Sequence, residues 1–188
     1  FLDYPAEGVA SPGTWAGEAN VTTFVLSGLS KVALTPQLKL GWIAVAGPAA
    51  AAAEACRRLE HIADAFLSVN TPAQLALPDL LRRAEPLRAL VRTRVAQGEA
   101  ALRAWASSAG AGCVVLPRPA GWTAVMLLPP GVPEESFLLR ALEEGAWAHP
   151  GYFYGMRAET PAVVLSLLTP PEAFSAGLQA FERALRRT

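Results

Sequence analysis

The chain is short of net charge, cysteine, histidine and uninterrupted hydrophobic sequence. Its 16 basic and 16 acidic side chains cancel, which removes the electrostatic footprint of a dedicated nucleic-acid binder, since such proteins concentrate cations against phosphate. Cys56 and Cys113 are too few for a disulfide framework and have no CxxC spacing, and with His61 and His149 as the two histidines they assemble no convincing zinc site. No metal is therefore expected. A membrane span needs about 20 consecutive apolar residues. Gly47-Pro48 cuts the run that begins at Leu40, and Pro117, Pro119, Pro129 and Pro130 fragment the next one, so no membrane partner is expected either. The opening FLDYPAEG has no initiating methionine and no charged-then-apolar leader; it reads as a chain that begins mid-protein.

What is present is apolar surface. Hydrophobic residues make up 52% of 188, enough to offset the entropy of ordering and to exclude disorder as the main state. The length suits one large domain or two small ones. Residues 20–26 (NVTTFVL) and 40–46 (LGWIAVA) read as buried strands, with residues 27–39 a loop between them. A helix is expected over about 49–68, its Leu59, Ile62, Phe66 and Leu67 face packing on the sheet. Thr71-Pro72-Ala73-Gln74 has the form of a capping box opening a short helix that Pro78 disturbs, and a long helix runs from Pro86 to about Ser108.

Beyond Ala109 the pattern becomes short strands at 113–116, 122–128, 146–149 and 162–168 around a helix over about 133–144. A last helix follows the Thr169-Pro170-Pro171-Glu172 capping-box pattern and carries Phe174, Leu178, Phe181 and Leu185 on one stripe. The boundary is placed near residues 83–86, giving domains 1–84 and 85–188. The first looks incomplete, because a couple of apolar strands with one helix leave a parallel-type sheet edge bare, which invites association.

One segment carries chemistry. SGLSKVALTPQLKLGW puts Lys31 among small and hydroxyl residues after one strand and Lys39 eight residues later, where the next strand starts. Two amines held together suit an anionic aldehyde: one condenses with the carbonyl while the other faces the phosphate, and a neighbouring cation favours the neutral, nucleophilic amine.

The same segment resembles the lysine signature of the class I and II aminotransferases, the fold type I pyridoxal-phosphate enzymes, through Gly28, Leu29, Ser30, Lys31, Leu40 and Gly41. The likeness extends to GWIAVAGP, LSVNTPAQLALPDLL, HPGYFYG and LSLLTPPEAFSAGLQAF, and so to essentially the whole chain. It implies an α/β fold: the C-terminal half of such an enzyme, with the end of the large-domain sheet followed by the small α/β C-terminal domain. Lys31 is then the Schiff-base lysine of bound pyridoxal 5'-phosphate, and Lys39 stands where the family usually has a phosphate-binding arginine, keeping the charge but losing the planar fork. Gly28 occupies the place of a frequent phosphate-contacting serine, which leaves Ser27 and Ser30 as hydroxyl candidates. Phe1 stands where an Asp-x-x-Tyr element ends, implying that the aspartate pairing with the pyridine nitrogen precedes the chain.

The resemblance also exposes a departure. The family places an arginine near the C-terminus to clamp the substrate carboxylate, whereas Val164 holds that position here. Arg157 is the nearest basic residue in sequence, and Tyr152 in the HPGYFYG turn is a further substrate candidate; His149 and Tyr154 share that turn. The implied activity is transamination between an amino acid and a keto acid by a cytoplasmic homodimer. Elimination by a pyridoxal-phosphate carbon–sulfur lyase and a non-catalytic truncated chain are the alternatives.

Overall fold

The computed structural model describes residues 4–6, 8–10, 13–109 and 112–187. Two compact units divide it, one made of Ala10–Ala89 and the other of Tyr4–Val9 with residues 90–187.

In the first unit, β1 (Thr23–Gly28) pairs antiparallel with β2 (Gly41–Ala46), in a register that runs from Thr23 opposite Ala46 to Gly28 opposite Gly41. The pairing is antiparallel, not of the parallel type expected. Both strands are also less buried than their apolar sequence suggests: Phe24, Leu26 and Ile43 are exposed. A two-stranded sheet offers two faces, and the described part of this unit covers only one of them. The connection expected as loop folds into a single turn of helix, α1 (Leu29–Val32), and a 3-10 turn over Pro36–Leu38. Leu29 is the anchor. It is fully buried in a small core with Ala33, Leu40, Ala73 and Ala84, and its N–H donates to the Leu40 carbonyl over 3.0 Å.

Helix α2 (Ala49–Ala63) stops earlier than expected and buries no residue; Ile62, Phe66 and Leu67 are exposed rather than packed on the sheet. Helix α3 (Thr71–Ser108) is one 38-residue element, not two. Pro78 and Pro86 lie inside it. Each removes a bond to the carbonyl four residues earlier, but those carbonyls belong to Gln74 and Arg82, and all four residues are exposed, so water can take over as donor. Its N-terminus is capped by Asn70 rather than by Thr71: Asn70 Oδ1 accepts from the Ala73 N–H at 2.8 Å, and Asn70 Nδ2 reaches back to the Leu38 carbonyl at 3.4 Å.

The second unit is an α/β sandwich. Four antiparallel strands, β3 (Val114–Val115), β4 (Thr123–Leu127), β5 (His149–Pro150) and β6 (Ala162–Ser166), lie in the order β3-β4-β6-β5. Helices α4 (Glu134–Glu143) and α5 (Pro171–Arg186) pack together and bury Phe137, Phe174, Leu178 and Phe181 against Met126, Val163 and Leu165. Val163 and Leu165 enter that core, so strand alternation puts Val164 on the opposite face. Gly98 of α3 sits where a Cβ would come within 3.1 Å of the Leu167 carbonyl oxygen, so it permits a close approach of helix to strand end. The second capping box does not form. Pro170 is the N-cap of α5 with no side-chain bond, and Thr169 Oγ1 instead donates to the Ser166 carbonyl at 3.1 Å.

Candidate functional site

Strand β1 ends at Gly28, whose backbone lies against the start of β2. The absent side chain is required there, because a Cβ would lie 2.9 Å from the Leu40 carbonyl oxygen and 3.1 Å from Gly41 Cα. The close approach ties both ends of the intervening segment together, aided by the Leu29–Leu40 bond. Lys31 sits in the single turn of α1, half-buried; Lys39 closes the 3-10 turn in the left-handed region, with φ 52°, and is exposed. A lysine in that conformation carries a local backbone cost.

The consequence is a shared depression of about 490 Å³. Lys31 and Lys39 both line it, together with Ser27, Ser30, Gly28 and Gly41, and no carboxylate is among the described residues lining it. Two amines and two hydroxyls gathered on one surface attract an anion. All four cofactor candidates from the first unit are therefore brought together.

Tyr152 and Arg157 share a different depression, of about 530 Å³, in the second unit. Glu134, Glu135 and Glu159 line it too, and the Glu134 carboxylate accepts from the N–H groups of Ala162 at 2.6 Å and Tyr152 at 3.3 Å. Val164 lines neither of these depressions. It belongs to a third, of about 420 Å³, also in the second unit, with His149 and Tyr154. His149 Nδ1 and Tyr154 Oη are 2.8 Å apart. Phe1 lies outside the described residues. Among the described residues no group of side chains could hold a metal ion, and no helix is long and apolar enough to cross a membrane.

Two features of the site escaped sequence reasoning. The left-handed backbone of Lys39 has no sequence marker, since such positions favour glycine or asparagine. Gly28 and Gly41 were legible as residues of the family pattern, but only the strand register shows that they stand opposite each other and that a Cβ at 28 would meet the Leu40 carbonyl.

No family model matches the chain, and no curated protein matches it. Solved structures do. The α-aminoadipate aminotransferase of Thermus thermophilus, solved as a complex with N-(5'-phosphopyridoxyl)-L-leucine, is 28% identical with a TM-score of 0.67; the match covers 87% of this chain and 42% of that one. The tyrosine aminotransferase of Leishmania infantum is 17% identical with a TM-score of 0.78, over 90% of this chain and 42% of that one. The alanine aminotransferase of Pyrococcus furiosus is 19% identical with a TM-score of 0.74, over 90% and 43%. The chain thus spans less than half the length of the aminotransferases it matches, and its fold is that of their C-terminal portion. The likeness read from SGLSKVALTPQLKLGW holds at the level of fold.

Proposed function

We propose that the chain carries the lysine-bearing part of a pyridoxal-phosphate-dependent aminotransferase acting between an amino compound and a keto acid. The observation that supports this reading most is the convergence of Lys31 and Lys39, eight residues apart in sequence, on one depression that also carries the Ser27 and Ser30 hydroxyls. The donor set fits the cofactor: an amine for its aldehyde, a second cation for its phosphate, and the hydroxyls of Ser27 and Ser30 for further phosphate oxygens. Pyridoxal phosphate, when bound, supplies an electron sink for charge developing at the substrate α-carbon.

In this reading Lys31 is the covalent attachment point, and its ε-amine, once released, takes the proton from the substrate α-carbon. Lys39 neutralises phosphate charge as a point cation, without the bidentate geometry an arginine would add. The left-handed turn at Lys39 and the Gly28–Gly41 approach hold the two amines on one surface. Arg157 is not assigned to a substrate carboxylate, since three glutamates line its depression and a further anion there meets repulsion. Assembly as a homodimer belongs to the same proposal.

The test is direct. The chain is incubated with pyridoxal phosphate, reduced with borohydride and digested, and the modified peptide is identified by mass spectrometry. Label on Lys31 supports the reading, with Lys31→Ala removing it and Lys39→Ala weakening binding about tenfold, the scale of one charge-assisted contact. Label spread over surface amines, or unchanged in Lys31→Ala, overturns it.

A further inference from the structure

The depression around Val164 has a composition of its own. No lysine, arginine, aspartate or glutamate is among its described lining residues. It exists because β5 is only two residues long: His149 pairs with Val164 and Pro150 with Val163, so the β6 edge at Leu165 and Ser166 has no β5 partner. The segment before β5 and helix α5 line the space beside that edge.

Two of the hydroxyls in it are locally engaged. Ser166 Oγ accepts from the Leu168 N–H at 3.3 Å, and Thr169 Oγ1 donates to the Ser166 carbonyl. Aromatic rings dominate the mouth. The His149 ring stacks on Tyr154 at a 28° interplanar angle, with centroids 6.1 Å apart, and meets Trp147 edge-on at 5.7 Å. Trp147 nevertheless remains 82% exposed. Such a surface rewards a flat apolar partner, while the bonded His149–Tyr154 pair offers a lone pair or proton to one neutral polar group. A carboxylate placed there would give up hydration with no cation among the described lining residues to replace it.

We infer that this depression is a binding site for an uncharged aromatic ring bearing one hydrogen-bonding group, and that it rejects carboxylates. The binding property itself needs neither Lys31 nor cofactor.

Benzyl alcohol and benzoate are the probes, because they share a ring and differ in charge; binding to the 188-residue chain is followed by saturation-transfer NMR. The chain should bind the alcohol at least tenfold more tightly than benzoate. Gly177→Leu provides the blocking variant: Gly177 lines the depression from the interior of α5, and a Cβ there has nothing within 4 Å. Leucine also favours the helix, so the variant should keep its circular dichroism and lose alcohol binding at least tenfold. Val164→Arg should raise benzoate affinity above that of the alcohol, and if it does not fold the Gly177→Leu comparison still decides. Lys31→Ala should leave alcohol binding unchanged, so failure of the cofactor reading is seen separately. Benzoate binding as well as the alcohol, no binding of either, or alcohol binding undiminished in folded Gly177→Leu overturns the inference.

Discussion

Gly28 and Gly41 stand opposite each other where β1 and β2 meet, so close that a Cβ on Gly28 would approach the neighbouring Leu40 carbonyl oxygen to 2.9 Å. Gly28→Ser would install the hydroxyl found at this position in the resembled family, yet we predict that it harms the site. The strands must separate to admit the side chain, at a cost of about 1–3 kcal/mol, typical of overpacking. Chemical denaturation should show the loss, and a pyridoxal phosphate titration should show weaker binding. Tighter binding with unchanged stability would mean that the strand ends yield freely.

Glu99 of α3 bridges Arg103 at 2.8 Å and Arg118 at 2.6 Å, and the Arg118 side chain is only 7% exposed. Burial pushes the Glu99 carboxyl up, but hydrogen bonds from the two arginines outweigh it and hold it below its ordinary value. A carboxylate with a lowered folded-state pKa contributes stability above its unfolded value, and that contribution disappears as pH falls through the folded one. Glu99→Ala should therefore cost about 3 kcal/mol near neutrality by removing the carboxylate from Arg118, which keeps its backbone carbonyl partners. The gap to the parent chain in urea unfolding should narrow below pH 4.5. A gap independent of pH would remove the ion pair from the account.

Pro78 interrupts the hydrogen-bond ladder of α3 on an exposed face. Pro78→Ala restores a donor for the Gln74 carbonyl and should stabilise the chain by about 1–3 kcal/mol. Thermal unfolding followed by circular dichroism reads this as a raised midpoint. A lowered midpoint would show that packing requires the bend proline imposes.

The two thiols should differ. Burial raises the Cys113 pKa to about 11, whereas Cys56 is exposed on α2. Since the thiolate is the reactive form, Ellman's reagent at pH 8 should titrate Cys56 alone in the native chain and both thiols after denaturation. Rapid native reaction of Cys113 would show that its end of the second unit opens readily.

Sequence pattern located most elements, and its failures have physical reasons. Strands β4 and β6 were legible because their apolar runs end at proline or turn residues, and α5 because Phe174, Leu178 and Phe181 recur at helical spacing. Apolar sequence did not report how many partners a strand has, so Phe24, Leu26 and Ile43 looked buried and are exposed. Pro78 and Pro86 looked like breaks because sequence does not show that the affected carbonyls face water. At the candidate site, the lysine pair was readable from residue type and family likeness. That no lysine or arginine is among the described residues lining the Val164 depression was readable in part from the missing arginine; the surroundings contributed by residues 145–149 and α5 required the strand pairing.

The reach of Asn70 back to Leu38 links two parts of the first unit that are distant in sequence. Leu38 is the residue before Lys39, so the first turn of α3 and the cationic corner share a tether one peptide long. A tilt of that helix end would pull on the peptide that leads into Lys39. Under the proposed function, anion affinity in this unit would then respond to strain applied more than thirty residues downstream, by leverage rather than by contact.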